Sequence, residues 1–394
     1  MAYNSERIYE LEKRGHKLWG LWISNPNPYN AIGPFPYSNI TDLSIINWQQ
    51  KLNEIQTDII YGLLNYQAVS LAFEVLKYIR ENKLRFPFIW HFKEGPFYCR
   101  QFGDWNKLIY LLDNSDGNIF INRESLQWYS LFINFKDKLL FCMDGDLPVK
   151  NWFKDNYTRK ISELDQEIHT VVPGRLVGLN PMRMFELFKR GIHLHLYGNY
   201  YHLLYYDYIK EVQNSSFSRY LHIHSTVRQD KWCEEFSKYD AGWLHLFKSY
   251  NFGKLQRMSW DDLNYPARIS TLACASLPMI QVNNDNHLVA TQELTSHLDI
   301  GIFYKDFEEL HIKLKNKEWL RNRLRYCIWH HWKKPERKRK KLIRLGINPD
   351  HAYAWSRTRM GGWAVAKSPI LRTTITVERL KMKGYVSLIE YYNR

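Results

Sequence analysis

Several things are scarce in this chain of 394 residues. It has five cysteines, Cys99, Cys142, Cys233, Cys274 and Cys327, with no C-x-x-C pair among them. That excludes a disulfide framework and a zinc ribbon, and the odd, scattered, mostly apolar setting predicts reduced, buried thiols in a cytosolic protein. No run reaches the roughly 18 apolar residues of a membrane span. The opening MAYNSERIYELEKRG lacks the apolar stretch of a secretory signal, so the chain is expected to be neither exported by one nor membrane-spanning. No repeat recurs at a period of about 20 to 50 residues, so a solenoid is not expected. Acidic residues are also short: 40 Asp and Glu face 55 Lys and Arg. The resulting net charge of +15 implies an acidic partner, such as a nucleotide diphosphate, nucleic acid or anionic lipid, without choosing among them.

Apolar side chains are plentiful. At 45% hydrophobic and 16% aromatic, the chain can bury sizeable cores, and its length suggests two or three domains. Residues 1–148 predict alternating elements: a helix over Ser5–Arg14, a strand over Lys17–Ile23, helical spacing over Thr41–Gln56 and a strand over Asp58–Leu64. A helix over Ala68–Asn82 and a strand over Phe86–Phe92 follow. Helix Asp104–Leu112, strand Gly117–Asn122, helix Glu124–Ile133 and strand Asp137–Met143 complete the set, and such alternation predicts a parallel sheet with right-handed crossovers. Residues 149–167 are polar and unperiodic and read as a linker. A second alternation occupies residues 168–330, and residues 331–394 form a basic extension with a possible crossover helix over Ile375–Tyr392.

The stretch from Tyr239 to Gln281 organises the second half: a buried strand, a polar loop, an Asn-x-Pro-x-Arg turn opening a helix, then a short strand at Leu277–Ile280. A strand that ends in a loop and a helix start is where doubly wound sheets hold anions, because unpaired N–H groups converge there. We read it as a diphosphate site.

The segment Asn264-Tyr265-Pro266-Ala267-Arg268-Ile269-Ser270-Thr271-Leu272-Ala273-Cys274-Ala275-Ser276-Leu277-Pro278 resembles, without a gap, the N-x-P-x-K-h-x-E-h-h-A-x-G-L-P segment of GT-B nucleotide-sugar glycosyltransferases. The resemblance implies two Rossmann-like, doubly wound α/β domains facing a central cleft, with the donor nucleotide-sugar held by the C-terminal one and the acceptor by the N-terminal one. It gives Arg268 the diphosphate contact, a role that suits a planar guanidinium. The family glutamate at the ribose falls on Thr271, so the E-x7-E pattern of many retaining members is broken and stereochemistry cannot be inferred. The family glycine falls on Ser276. The helix and strand around Lys13-Arg14-Gly15-His16 resemble the first helix and second strand of a GT-B N-terminal domain, whose first strand and glycine-rich loop would precede residue 1.

Pro173-Gly174-Arg175 resembles the Gly-Arg that faces the donor phosphates; an ordinary turn with a surface arginine is the plainer reading. Trp90-His91-Phe92-Lys93-Glu94 stands where the family presents a histidine to the acceptor, with Glu94 as candidate base and His91 as a donor-sugar contact. A charged loop after a core strand is the alternative. Asp144-Gly145-Asp146 reads foremost as a turn. His245, Asp262 and Asn264 are further donor-side candidates, though Asp262 suits a helix cap equally well.

The pairs His193/His195 and His222/His224 place two imidazoles each on one strand face, but no third ligand of suitable spacing accompanies them. No metal is expected, and His224 reads instead as a cleft residue. The basic run Lys333–Arg344, near Trp329, Trp332 and Trp355, is a solvated face by default and otherwise suits an anionic membrane surface or, less well, nucleic acid.

The resemblance implies transfer of a sugar from a nucleotide-diphosphate sugar to a carbohydrate or lipid-linked hydroxyl in polysaccharide or glycolipid synthesis, at the inner face of the membrane. UDP is the expected nucleotide. A DNA-directed glycosyltransferase or nucleic-acid-binding protein, and a non-catalytic binder of nucleotide or sugar, are the competing readings.

Overall fold

A computed structural model describes residues 8, 11–21, 41–43, 47–55, 57–64, 68–142, 152, 156–200 and 205–320. Expectations for Asp144–Asp146, half of Ser5–Arg14, part of the 149–167 linker, the helix end near Trp332, the run Lys333–Arg344 and the Ile375–Tyr392 crossover lie outside these residues.

Strands β1 (Trp19–Leu21) and β2 (Thr41–Leu43) form a small parallel pair. Helical spacing over Thr41–Gln56 predicts helix at Thr41; the chain is strand there and turns helical only over Trp48–Ile55. Thr41 is β-branched, which favours the strand, and only Trp48 and Leu52 of the helix are buried.

The first parallel sheet runs β3 (Ile60–Leu64), β4 (Phe88–Phe92), β5 (Gly117–Phe120), β6 (Leu139–Cys142), in spatial as in chain order. Helix Val69–Glu81 shows why the crossovers pack. Its Val69, Ala72, Val75, Leu76 and Ile79 recur at three- and four-residue intervals and are all buried against the sheet. It ends at Asn82, after which Lys83 takes a left-handed φ of 54°. Helix Arg123–Tyr129 is started by Asn122, whose side chain accepts from the Ser125 amide at 2.7 Å, a cap that contributes about 1 kcal/mol.

The second sheet contains β7 (Ile168–Pro173), β8 (Ile192–Tyr197), β9 (Leu221–His224), β10 (Ala241–Trp243), β11 (Met279–Val282) and β12 (Gly301–Tyr304). All pairings are parallel, in the order β12-β11-β10-β7-β8-β9. This is the dinucleotide-fold order, in which the chain leaves β7 toward one edge and β10 toward the other, opening a crevice at their carboxyl ends. Two apolar clusters cover its faces, one around Val172, Leu194 and Trp243, the other around Val171, Leu272 and Met279.

Two features escape the periodicity. Helices Pro96–Gln101 and Ala290–His297 occupy stretches to which the sequence pattern assigns no element, being short or only weakly amphipathic. More consequentially, the segment from Leu255 to Leu263 belongs by sequence to the second domain but packs into the core of the first. Met258 and Leu263 are buried there among Trp90, Cys99 and Trp128. Asn122 donates to the Leu263 carbonyl at 2.6 Å, and a Cβ on Gly95 would meet the Trp260 indole at 3.1 Å. These contacts tie the two lobes together beside the strand ends.

Candidate functional site

Gly174 and Arg175 follow directly from β7, at the crevice mouth. Gly174 has φ 96°, a left-handed backbone that glycine adopts without a steric penalty. Both residues are exposed. Arg268 opens the helix Arg268–Cys274 that follows the β10 loop, and it is the reverse of exposed, retaining 6% of its surface. Its guanidinium donates to the Trp243 carbonyl at the end of β10, at 3.3 Å, and to the Arg175 carbonyl. A Cβ on Gly174 would lie 4.0 Å from Arg268 Nη2. The two arginines, 93 positions apart in sequence, therefore meet across the crevice.

Among the described residues no carboxylate pairs with Arg268, and the acceptors it holds are neutral carbonyls. Burial, with a smaller contribution from the neighbouring Arg175 charge, brings its pKa down to about 10, so the group stays cationic at neutral pH. A buried cation without a counter-ion is electrostatically unfavourable, and an anion entering at this place would offset that penalty.

His245, just past β10, is 9% exposed. Burial and then the charges of Arg268 and Arg175 hold its pKa down to about 3, so its ring is neutral beside the two cations. Asp261 senses the same pair: burial and the adjacent Asp262 raise its pKa while Arg175 opposes them. Thr271 lies one turn into the helix and is buried, and Asn264 is half-buried at the turn. Asp262 is occupied locally. Its Oδ2 accepts from the Ser259 amide at 2.8 Å, and Ser259 Oγ accepts from the Asp262 amide at 3.4 Å, closing a capping box on Trp260–Leu263. The structure thus brings Gly174, Arg175, His245 and Arg268 together at one crevice, with Asn264 in the turn before the Arg268 helix, Thr271 buried one turn into it and Asp262 inside a cap.

His224 is found elsewhere. It is the last residue of β9 and stacks on Tyr197 at 4.5 Å, in a row of imidazoles across the sheet face. Among the described residues no group of three or more His, Cys, Asp or Glu side chains is arranged to hold a metal ion.

On the first domain, His91 lies within β4 with no exposed surface, its Nδ1 2.6 Å from the Tyr61 hydroxyl. It is part of the sheet interior and not of the rim. Glu94 is the half-exposed member of the pair, two residues past the strand and next to Gly95, where Trp260 of the other lobe closes in.

Sequence reasoning missed Tyr200, whose hydroxyl donates to the Gly174 carbonyl and whose ring, buried, borders Arg268. Its sole signal was position, three residues past β8. Ser276, where the family glycine falls, has φ 55°, and its Oγ lies 2.9 Å from the Tyr157 hydroxyl. Here a non-glycine occupies the left-handed turn that the motif's glycine would fit more readily.

No protein-family model matches the chain, and no curated protein matches it in sequence. Solved structures do match in shape. The structure of Anabaena HepE in complex with UDP aligns at 12% identity, covering 86% of this chain and 85% of that one, with a TM-score of 0.52. The lipopolysaccharide outer core galactosyltransferase WaaB aligns at 12% identity over 72% of this chain and 78% of its own, with a TM-score of 0.41. MurG of Acinetobacter baumannii aligns at 11% over 82% and 90%, with a TM-score of 0.44. Among the described residues no helix is long and apolar enough to cross a membrane. Two parallel α/β sheets, the second in dinucleotide-fold order, joined beside their strand ends and matched across most of their length by the HepE structure, give this chain the GT-B fold.

Proposed function

We propose that the protein is a glycosyltransferase that moves a sugar from a nucleotide-diphosphate sugar to a hydroxyl acceptor in the crevice between its two lobes. The observation that carries this reading is the buried Arg268 cation, without a carboxylate partner among the described residues and set against Gly174-Arg175 at the topological switch point of the second sheet. In the proposed complex the diphosphate accepts hydrogen bonds from Arg175 and from the free faces of Arg268. Asn264 and His245 flank the sugar diphosphate and Thr271 meets the ribose. UDP is the nucleotide we favour, since the HepE structure of shared fold was solved with it.

Sugar transfer requires the acceptor hydroxyl to lose a proton and the leaving diphosphate to be stabilised. We assign the base to Glu94, which stands where the lobes touch, and the stabilisation to the two arginines. His91 acts behind it, holding Tyr61 inside the sheet. The acceptor is a carbohydrate or a lipid-linked saccharide in cell-surface polysaccharide or glycolipid synthesis. The net charge of +15 supports work at the anionic inner face of a membrane.

Incubation of the protein with a panel of nucleotide sugars, followed for nucleotide diphosphate release without added acceptor, tests the reading. Slow release from one or a few donors supports it. Release from none, together with no calorimetric binding of UDP, GDP or their sugars, contradicts it. Binding without release identifies a non-catalytic binder.

A further inference from the structure

One face of the second sheet carries five histidines in two rows, His169 on β7, His193 and His195 on β8, His222 and His224 on β9. Register places His169 beside His193 and His195 beside His222. Their rings stack at centroid separations of 4.3 Å and 4.2 Å, with interplanar angles of 17° and 11°.

The rings are also hydrogen-bonded end to end. In one row His169 Nε2 lies 2.8 Å from Asp165, His169 Nδ1 lies 2.9 Å from His195 Nε2, and His195 Nδ1 lies 3.0 Å from His224 Nε2. In the other, His193 Nε2 meets the Glu167 carboxylate and His193 Nδ1 lies 2.9 Å from His222 Nε2. A carboxylate only accepts, so each row has one polarity. His169 and His193 donate from Nε2 to their carboxylates, and the rings behind them donate from Nε2 in turn. Each bonded ring nitrogen faces one partner, so the rows are chains and not a converging ligand set. Every shared N···N contact has room for one proton. A second proton on His195 forces His224 to shift its own proton from Nε2 to Nδ1 and leaves a charge on a buried ring.

We propose that this ladder is an acid-sensitive latch, which joins β7, β8 and β9 at neutral pH and releases the outer half of the second sheet as the medium acidifies. The surroundings decide whether charge could be absorbed instead. Carboxylates face it from Asp165 and Glu167 ahead of β7, from Asp240 beside His169, and from Glu235 on helix Trp232–Phe236. Cations face it from Lys238 near His224 and from Arg219, which lies over Tyr220 and reaches Glu167 at 3.5 Å. Tyr197, Tyr220 and Tyr239 pack on the rings as neutral hydroxyls. Carboxylates bond directly to His169 and His193, and Glu235 acts on His224, whereas His195, 5% exposed, is enclosed by four imidazoles and Tyr239 with no carboxylate bonded to it.

Burial first, then the other rings, depresses His195 strongly and His222 to about 4, and burial lowers His193 and His224 too. The unfolded chain takes up these protons near pH 6.5 and the folded chain does not. The latch's contribution to stability is therefore complete above about pH 6.5 and is lost as pH falls below it.

Urea denaturation of the full chain between pH 8 and pH 5 tests the latch. The folding constant of the wild type should fall at least about fiftyfold per pH unit between pH 6 and pH 5, nearly tenfold for each of His195 and His222. The double variant His222→Gln/His224→Gln keeps an amide N–H for each inner ring and cannot titrate. Its slope should be shallower by at least about fivefold per unit, with little change at pH 8. An equal slope in wild type and variant overturns the proposal. Should the variant fail to fold, NMR of histidine-labelled wild type decides. His195 and His222 rings that stay neutral down to pH 5.5 support the latch, and their titration near pH 6.5 overturns it.

Discussion

The two sheets bring very different chemistry to the crevice. The second domain's strand ends carry two guanidiniums, a neutral histidine and a left-handed glycine, held by backbone carbonyls and a tyrosine hydroxyl. The first domain contributes a half-exposed Glu94 just past β4, while its aromatic residues Trp90, Phe120 and Trp128 lie buried in its core. In the proposed reading one side receives a polyanion and the other takes a single proton, and that asymmetry can be broken one side at a time.

The largest effect is expected from Glu94→Gln. Removing the base should lower turnover by about 10²- to 10⁴-fold while UDP affinity by calorimetry stays within about twofold. A parallel loss of UDP binding would move Glu94 to the donor side. Arg268→Ala should reverse the pattern, weakening UDP binding by about ten- to a hundredfold and destabilising the fold by about 2 kcal/mol, since the Arg175 and Trp243 carbonyls lose their donor. Calorimetry and urea denaturation read the two parts. Arg175→Ala removes an exposed partner and should weaken UDP binding by about tenfold without measurable loss of stability. The smallest effect concerns His245. With its pKa held down to about 3, the ring is neutral from pH 7.5 to pH 6.5, so His245→Gln should weaken UDP binding by less than about threefold and leave its pH dependence over that range unchanged. A wild-type pH dependence that His245→Gln abolishes would show instead that the ring charges when the donor binds.

Much of this was legible in the sequence because it is local. The alternation of strands and helices follows from apolar runs, with Ile192–Tyr197 placed to the residue, and the convergence of Gly174-Arg175 with Arg268 follows from where a parallel sheet puts its strand ends. Pairings across the chain were not legible. Leu255–Leu263 carries no mark that it would pack into the other lobe, and Asp262 satisfies a cap and a ligand role equally well until its hydrogen bonds are seen. His91 reads as a rim residue because only Phe92 of β4 separates it from the loop, yet strand alternation turns its ring inward to Tyr61. The two His-x-His pairs invite a metal reading, and only the register of β8 on β7 and β9 shows that their partners are each other.

The most direct test of the central claim is a crystal structure with UDP. The account predicts the diphosphate within hydrogen-bonding distance of both Arg175 and Arg268, at the carboxyl ends of β7 and β10. A diphosphate bound away from either arginine, or a crevice that stays empty at saturating UDP, would contradict it.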